Sequence, residues 1–327
     1  MPATLVTGAT GFLGKHLVGQ LRRERPPPRL RIFCRGASPW DQDPQVEKVK
    51  GNITSAADVL SAMEGVASVY HLAGAVSRNP RASELYATHV EGTRNVCDAA
   101  RRCGVQKIVL VSSSGTIAVS REPVIHDEES GYKHEIVGEW PYYLSKIFAE
   151  KLALSYAKDY GLPVVIVNPS LLLGPGDDRR SSAVEIELFL EGQILAIPGG
   201  GLNIVDVRDA SAALIAAMRA GNSGERYLIG GPNWTFSEMI EKSSAVSGVR
   251  GPKRRLSLPA SLWGARLLRR IYPLVGQTYR LDDARIKMSA LFWYCNSSKA
   301  RAQLGFTTRD PLETLRETVE DLRRAKS

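Results

Sequence analysis

Three glycines at intervals of three, Gly8, Gly11 and Gly14, follow directly on the short run Thr4-Leu5-Val6-Thr7 and lead into the helix-periodic stretch Leu13–Leu21. A strand that turns through glycines into a helix gathers the free N–H groups of the helix start at one point, where the helix dipole favours negative charge. In such a turn Gly8 permits the tight bend, and Gly11 lets the backbone approach a pyrophosphate with no Cβ in the way. Gly14 lets the helix pack closely on the strand. Glycine collects in ordinary turns too, but a strand immediately upstream marks a dinucleotide-binding turn. Gly8, Thr10, Gly11, Phe12, Leu13 and Gly14 are the candidate cofactor contacts here.

Strand-like and helix-like runs alternate from this turn onward. Strands are expected at Leu30–Cys34, near Val46–Lys50, at Val66–Leu72, Lys107–Ser112 and Pro163–Val167. Helices are expected at about Ala56–Met63, Ser83–Cys103 and Tyr142–Tyr160. Lys107–Ser112 is rich in β-branched residues without alternation, as a sheet buried on both faces requires. The fold class is therefore α/β: a Rossmann-type doubly wound parallel sheet with a smaller, mostly helical C-terminal lobe. The nucleotide-binding domain is expected over 1–170, with 201–231 returning to it, and the substrate lobe over 171–200 and 232–327.

Composition bounds the rest. The 327 residues with 43% hydrophobic content are ordinary globular material. Four cysteines (Cys34, Cys97, Cys103, Cys295) lack CxxC spacing, which points away from a zinc site and toward a reducing, cytoplasmic compartment. Ala3-Thr4-Leu5-Val6 already reads as strand, leaving no room for a leader peptide, and no apolar run reaches membrane-spanning length. The net charge of +9 is concentrated: from Ser243 to Leu281 there are eight cations and no Asp or Glu. Apolar residues such as Leu262, Trp263, Leu267 and Ile271 are interleaved with them. The segment reads first as a surface helix with its apolar stripe turned inward. A basic stretch with apolar faces also suits peripheral contact with an anionic membrane or a lipid substrate, here through 250–272. No nucleic-acid-binding module accompanies the charge, so nucleic acid is not an expected partner.

The motif Thr7-Gly8-Ala9-Thr10-Gly11-Phe12-Leu13-Gly14 resembles that of the extended short-chain dehydrogenase/reductase family rather than the G-x-G-x-x-G of other dehydrogenases. The likeness runs over essentially the whole chain. The second strand ends in Arg35, where NAD-binding folds usually place an acidic residue for the ribose. A guanidinium there can pair with a 2′-phosphate, so NADP (NADPH) is the expected cofactor, with NAD the alternative. The resemblance also implies that Asn52-Ile53 lies beside adenine, with Asn where the family carries Asp. It implies further that Leu72-Ala73-Gly74 and Ser112 border the cofactor, and that Pro169 and Ser170 approach the nicotinamide.

Tyr142 and Lys146 stand four residues apart, on one face of a helix. A general acid for carbonyl chemistry needs a phenol brought down from about 10, which an adjacent ammonium and an oxidised nicotinamide both favour. Tyr143 is adjacent but lacks the spacing to a lysine. Ser112-Ser113-Ser114-Gly115-Thr116 closes a buried strand at the end where open α/β sheets bind ligands. By resemblance Ser114 completes a Ser–Tyr–Lys site and contacts substrate together with Tyr142, with Thr116 as a secondary substrate contact.

Within the family the chain looks most like the dihydroflavonol reductase and aldehyde reductase branch. Sugar-nucleotide dehydratases carry an Asp-Glu pair beside the serine, and none is present beside Ser114. The expected activity is an NADPH-dependent reduction of a ketone or aldehyde on a fairly apolar small molecule. Sugar-nucleotide epimerisation with tightly held NAD and 3β-hydroxysteroid-type dehydrogenation are the alternatives. A non-enzymatic NADP-binding regulator would normally have lost one of the three site residues. The substrate pocket is expected from Ala75 to about Tyr86, about Ile117–Trp140 and the lobe after Pro169. His126, His134 and Trp140 fall in range, the histidines more in keeping with structural roles. The family resemblance implies a homodimer through the helices at Ser83–Cys103 and Tyr142–Tyr160.

Overall fold

A computed structural model describes residues 2–75, 81–276 and 278–326. In chain order the strands are β1 (Ala3–Thr7), β2 (Arg29–Cys34), β3 (Val46–Lys50), β4 (Val66–His71), β5 (Lys107–Val111), β6 (Val164–Pro169), β7 (Leu171–Leu173), β8 (Gly201–Asp206), β9 (Arg226–Ile229), β10 (Asn233–Thr235) and β11 (Phe292–Trp293). Seven of them form one sheet in the order β3-β2-β1-β4-β5-β6-β9, every pair parallel. The strand order reverses between β1 and β4, which opens a crevice at the carboxyl ends of those two strands.

Both faces of the sheet are covered, which explains why β5 and β6 read as continuous apolar runs. On one face Leu17, Val18, Ala210, Leu214, Ala300 and Leu304 pack against Val109, Val165 and Tyr227. On the other, Val59, Val96, Ala100, Ala153 and Tyr156 pack against Leu5, Val69, Ile108 and Ile166. The doubly wound parallel sheet expected from the alternation is the observed architecture.

The expected helix at Ser83–Cys103 is present but not uniform. It runs as Ala82–Tyr86, a π-turn at Ala87–Glu91, and Gly92–Cys103. The wider turn carries His89 into the interior, where it is buried.

The smaller lobe is mostly helical, as expected, and it also contains a small sheet of its own, in which β8 pairs with β10, β11 and β7. The segment 201–231 also divides. β8 lies in the small sheet, whereas the helix Val207–Ala220 and β9 belong to the large one. Leu173, Ile186, Leu202, Trp234, Met239 and Leu315 form the lobe's core. No helix among the described residues is long and apolar enough to cross a membrane.

Candidate active site

Gly8 adopts φ +70° at the end of β1, and a Cβ there would lie 2.6 Å from the Leu72 carbonyl carbon. A Cβ on Gly14 would lie 2.2 Å from the Gly8 carbonyl oxygen. The two positions thus require glycine for conformation and for close packing, as the motif implies. The following helix, Phe12–Leu21, has Gly11 at its N-cap and no side-chain cap, so its first N–H groups remain available to an anion.

A cleft of about 1480 Å³ runs from this turn across the carboxyl ends of the strands into the smaller lobe. Gly8, Thr10, Gly11, Phe12, Leu13, Gly14, Arg35, Asn52, Ile53, Leu72, Ala73, Gly74, Ser112, Ser114, Tyr142, Lys146, Pro169 and Ser170 all border it. Arg35 is exposed at the end of β2. Ser170 contributes a buried hydroxyl with no hydrogen-bond partner among the described residues. An uncapped helix start facing one end and an orphaned hydroxyl in the wall fit an extended dinucleotide.

Tyr142, Ser145 and Lys146 occupy the first turns of the helix Pro141–Tyr160, which Pro141 opens at a position where its missing N–H costs nothing. The Lys146 ammonium donates to the Val111 carbonyl oxygen at 3.0 Å. Burial brings Lys146 down to about 8, against an upward pull from Glu150. Burial pushes Tyr142 up to about 12, opposite to the lowering expected from a neighbouring ammonium. In the protein alone this desolvation keeps the phenol protonated. The hydroxyls of Ser114 and Tyr142 make no hydrogen bond to the described residues, while both residues border the cleft. Tyr143 is committed elsewhere: its ring stacks on Trp293 at 5.0 Å and fills the space over Gly115.

Thr116 is corrected. It is fully buried, and its hydroxyl donates to Glu150 Oε1 at 2.9 Å rather than facing the cleft. Ser112 also turns its hydroxyl to Glu150 Oε1, and Asn168 Nδ2 donates to the same oxygen at 2.7 Å. The other carboxylate oxygen lies 3.9 Å from the Arg226 guanidinium. Glu150 therefore ties β5, the turn carrying Ser114 and β6 to the helix carrying Tyr142. The sequence held a signal for it, since Glu150 follows Lys146 by four residues.

His89 and His71 are further residues that no motif announced. His89 Nδ1 lies 2.8 Å from Ser145 Oγ, which donates to the Tyr142 carbonyl at 2.8 Å. His89 Nε2 accepts from Ala75 N–H at 3.0 Å. These partners fix one tautomer, with the proton on Nδ1. His71 Nδ1 lies 2.7 Å from Thr7 Oγ1, and its Nε2 lies 3.2 Å from Thr93 Oγ1. Burial and the Lys146 charge hold His89 down at about 2 and His71 at about 3, so both are neutral braces between the turn, the loop after β4 and the helix. Arg179 is also absent from the motifs; its Nη2 reaches Thr10 Oγ1 at 3.5 Å, a cation beside the phosphate turn.

Of the residues in range of the substrate pocket, Trp140 borders the cleft, but His126 and His134 do not. His134 lies instead 3.1 Å from Lys151 Nζ. Residues 76–80 of the expected pocket loop lie outside the described residues; Glu84 and Leu85 border the cleft.

The profile of the NAD-dependent epimerase/dehydratase family matches residues 4–230, the stretch that carries the phosphate turn, Ser114, Tyr142 and Lys146. The chain belongs to this family. The family match, taken with its reductase and dehydrogenase relatives, makes this protein an NAD(P)-dependent oxidoreductase. Sterol demethylase protein B of Methylococcus capsulatus is 33% identical over 92% of this chain and 92% of its own. Cinnamoyl-CoA reductase 1 of rice (Oryza sativa subsp. japonica) is 26% identical over 92% of this chain and 85% of its own. Among solved structures, that of gox2253 has a TM-score of 0.84 and 29% identity, covering 99% of each chain.

Proposed function

We propose that the protein is an NADPH-dependent reductase of a ketone or aldehyde on a fairly apolar molecule, working through Ser114, Tyr142 and Lys146. The observation that carries this reading is that Ser114, Tyr142 and Lys146 border one cleft, whose far end is walled by apolar residues of the smaller lobe. The phosphate turn and Arg35 would hold NADPH, with Ser170 toward its nicotinamide. When bound, that cofactor supplies hydride to the carbonyl carbon. Tyr142 donates its phenolic proton to the carbonyl oxygen and recovers one from solvent. Ser114 donates a hydrogen bond to the same oxygen as charge develops there. Lys146 holds the nicotinamide ribose and, as an ammonium, favours the transient phenolate.

The rice relative is named as a reductase and the bacterial one for sterol chemistry. The first supports reductive chemistry and the second an apolar, sterol-like substrate, which keeps 3β-hydroxysteroid-type dehydrogenation as the alternative reading. The four cysteines are free, in keeping with a reducing cytoplasmic setting. A homodimer through the helices at 82–103 and 141–160 is part of the reading. Its support is an exposed Phe148 whose ring lies 5.9 Å from Tyr86 on the neighbouring helix. Light scattering should return a dimer, and Phe148→Arg a monomer; a monomeric wild type refutes the dimer.

The direct test of the activity is NADPH oxidation against a panel of apolar ketones and aldehydes. Turnover should require Tyr142. Absence of carbonyl-dependent NADPH oxidation across the panel, with cofactor bound, would argue against the reading.

A further inference from the structure

The helix Leu258–Ile271 has two apolar stripes on opposite sides. Ser261, Ala265 and Leu268 border the cleft, and Ala265 packs with Tyr279 and Ile286 in a satellite core. Trp263, Leu267 and Ile271, four residues apart, point the other way into solvent, and Leu274 extends their line. Trp263 is 70% exposed and Leu274 82%. Of twelve large hydrophobic side chains exposed among the described residues, six lie within residues 256–274. The inward-turned stripe expected from the sequence accounts for only half of this helix.

The charges around the outer stripe are equally one-sided. Arg266 and Arg269 pair with Asp283, and Arg280 with Glu187 and Glu191. Arg250, Lys253, Arg254, Arg255 and Arg270 are exposed and pair with no carboxylate of the described residues. Five uncompensated cations thus share with the apolar ridge a segment that contains no acidic residue. Leu256 and Leu258, just before and at the start of the helix, are both exposed and part of the cleft wall.

We infer that residues 250–274 form a docking surface for an anionic lipid bilayer, with Trp263, Leu267, Ile271 and Leu274 entering the headgroup boundary and the five cations meeting lipid phosphates. The apolar ridge supplies insertion, and the cations supply preference for negative lipid. The helix lies on the membrane, not through it.

Full-length protein should sediment with vesicles of phosphatidylglycerol mixed into phosphatidylcholine at least about tenfold more than with pure phosphatidylcholine. Trp263 fluorescence should shift to the blue on binding, since the other four tryptophans are buried or half-buried. Trp263→Glu with Leu267→Glu should abolish sedimentation at unchanged melting temperature. Lys253→Glu with Arg254→Glu and Arg255→Glu should erase the preference for anionic vesicles. Failure of the wild type to bind, or full binding by the Trp263→Glu/Leu267→Glu protein, would overturn the inference. So would a wild-type oligomer that this double variant dissolves, which would make the ridge an interface between copies. None of these readouts depends on turnover, so the reductase reading stands or falls separately.

Discussion

His89 Nδ1 stands 2.8 Å from Ser145 Oγ, within a chain of hydrogen bonds that runs from the Ala75 N–H to the Tyr142 carbonyl. The imidazole joins the loop bordering the cleft to the helix carrying Tyr142. It does so only as the neutral Nδ1–H tautomer.

Replacing it by Asn keeps a donor for Ser145 but leaves the Ala75 N–H without its acceptor. His89→Asn should lose about 1–3 kcal/mol of stability in urea, and the cofactor KM should rise more than kcat falls. The pH dependence has a definite sign. His71 and His89 titrate near 6.5 when unfolded but are held far lower in the fold. Below about pH 6.5 the unfolded chain takes up protons that the folded one refuses, so stability falls by about 1.4 kcal/mol per pH unit for each histidine. Above that pH neither contributes. The variant should show the shallower acid slope, and equal slopes would place His89 outside the set of buried neutral groups.

Tyr142 and Tyr143 are adjacent but differently committed. Tyr142→Phe should lower turnover by roughly 10²–10⁴-fold with cofactor binding nearly intact. Tyr143→Phe keeps the ring against Trp293 and should cost little. The reverse pattern would identify Tyr143 as the proton donor.

Glu150 is the one acidic group that raises Lys146 against burial. Removing its charge should bring the ammonium below about 8, moving the alkaline limb of cofactor affinity to lower pH. Glu150→Gln retains an oxygen able to accept from Thr116 and Asn168, so the fold should persist. A pH profile of NADPH affinity superimposable on the wild type would show that the two groups are uncoupled.

Arg35 stands exposed at the end of β2, on the border of the cleft. Arg35→Asp should move the NADPH/NADH preference by roughly ten- to a hundredfold toward NADH, the worth of a charge-assisted bond to the 2′-phosphate. Affinities for the two cofactors by titration check this, and an unchanged ratio removes Arg35 from the phosphate site.

The large sheet was legible because burial on both faces leaves continuous apolar runs, and because Gly8 and Gly14 are dictated by backbone geometry that no other residue meets. Tyr142 and Lys146, which both border the cleft, were legible as a pair for a different reason: they share a helix face at fixed spacing. The small sheet was not, since β7, β10 and β11 have two or three residues each, too few for any period to register. Thr116 was misassigned because a hydroxyl two residues from Ser114 can face either the cleft or a buried carboxylate, and only the fold supplies Glu150. His89 depends on a π-turn, which widens the helix at one point and leaves no mark in a 3.6-residue pattern.

The measurement that bears most directly on the reductase reading is to denature freshly purified protein and identify the nucleotide it releases, with its stoichiometry. A reductase exchanges cofactor on each turnover, so the protein should release little nucleotide, or some NADP(H), and then bind NADPH more tightly than NADH. Near-stoichiometric NAD would contradict that account and make epimerisation, in which hydride is removed and returned in one binding event, the activity to pursue.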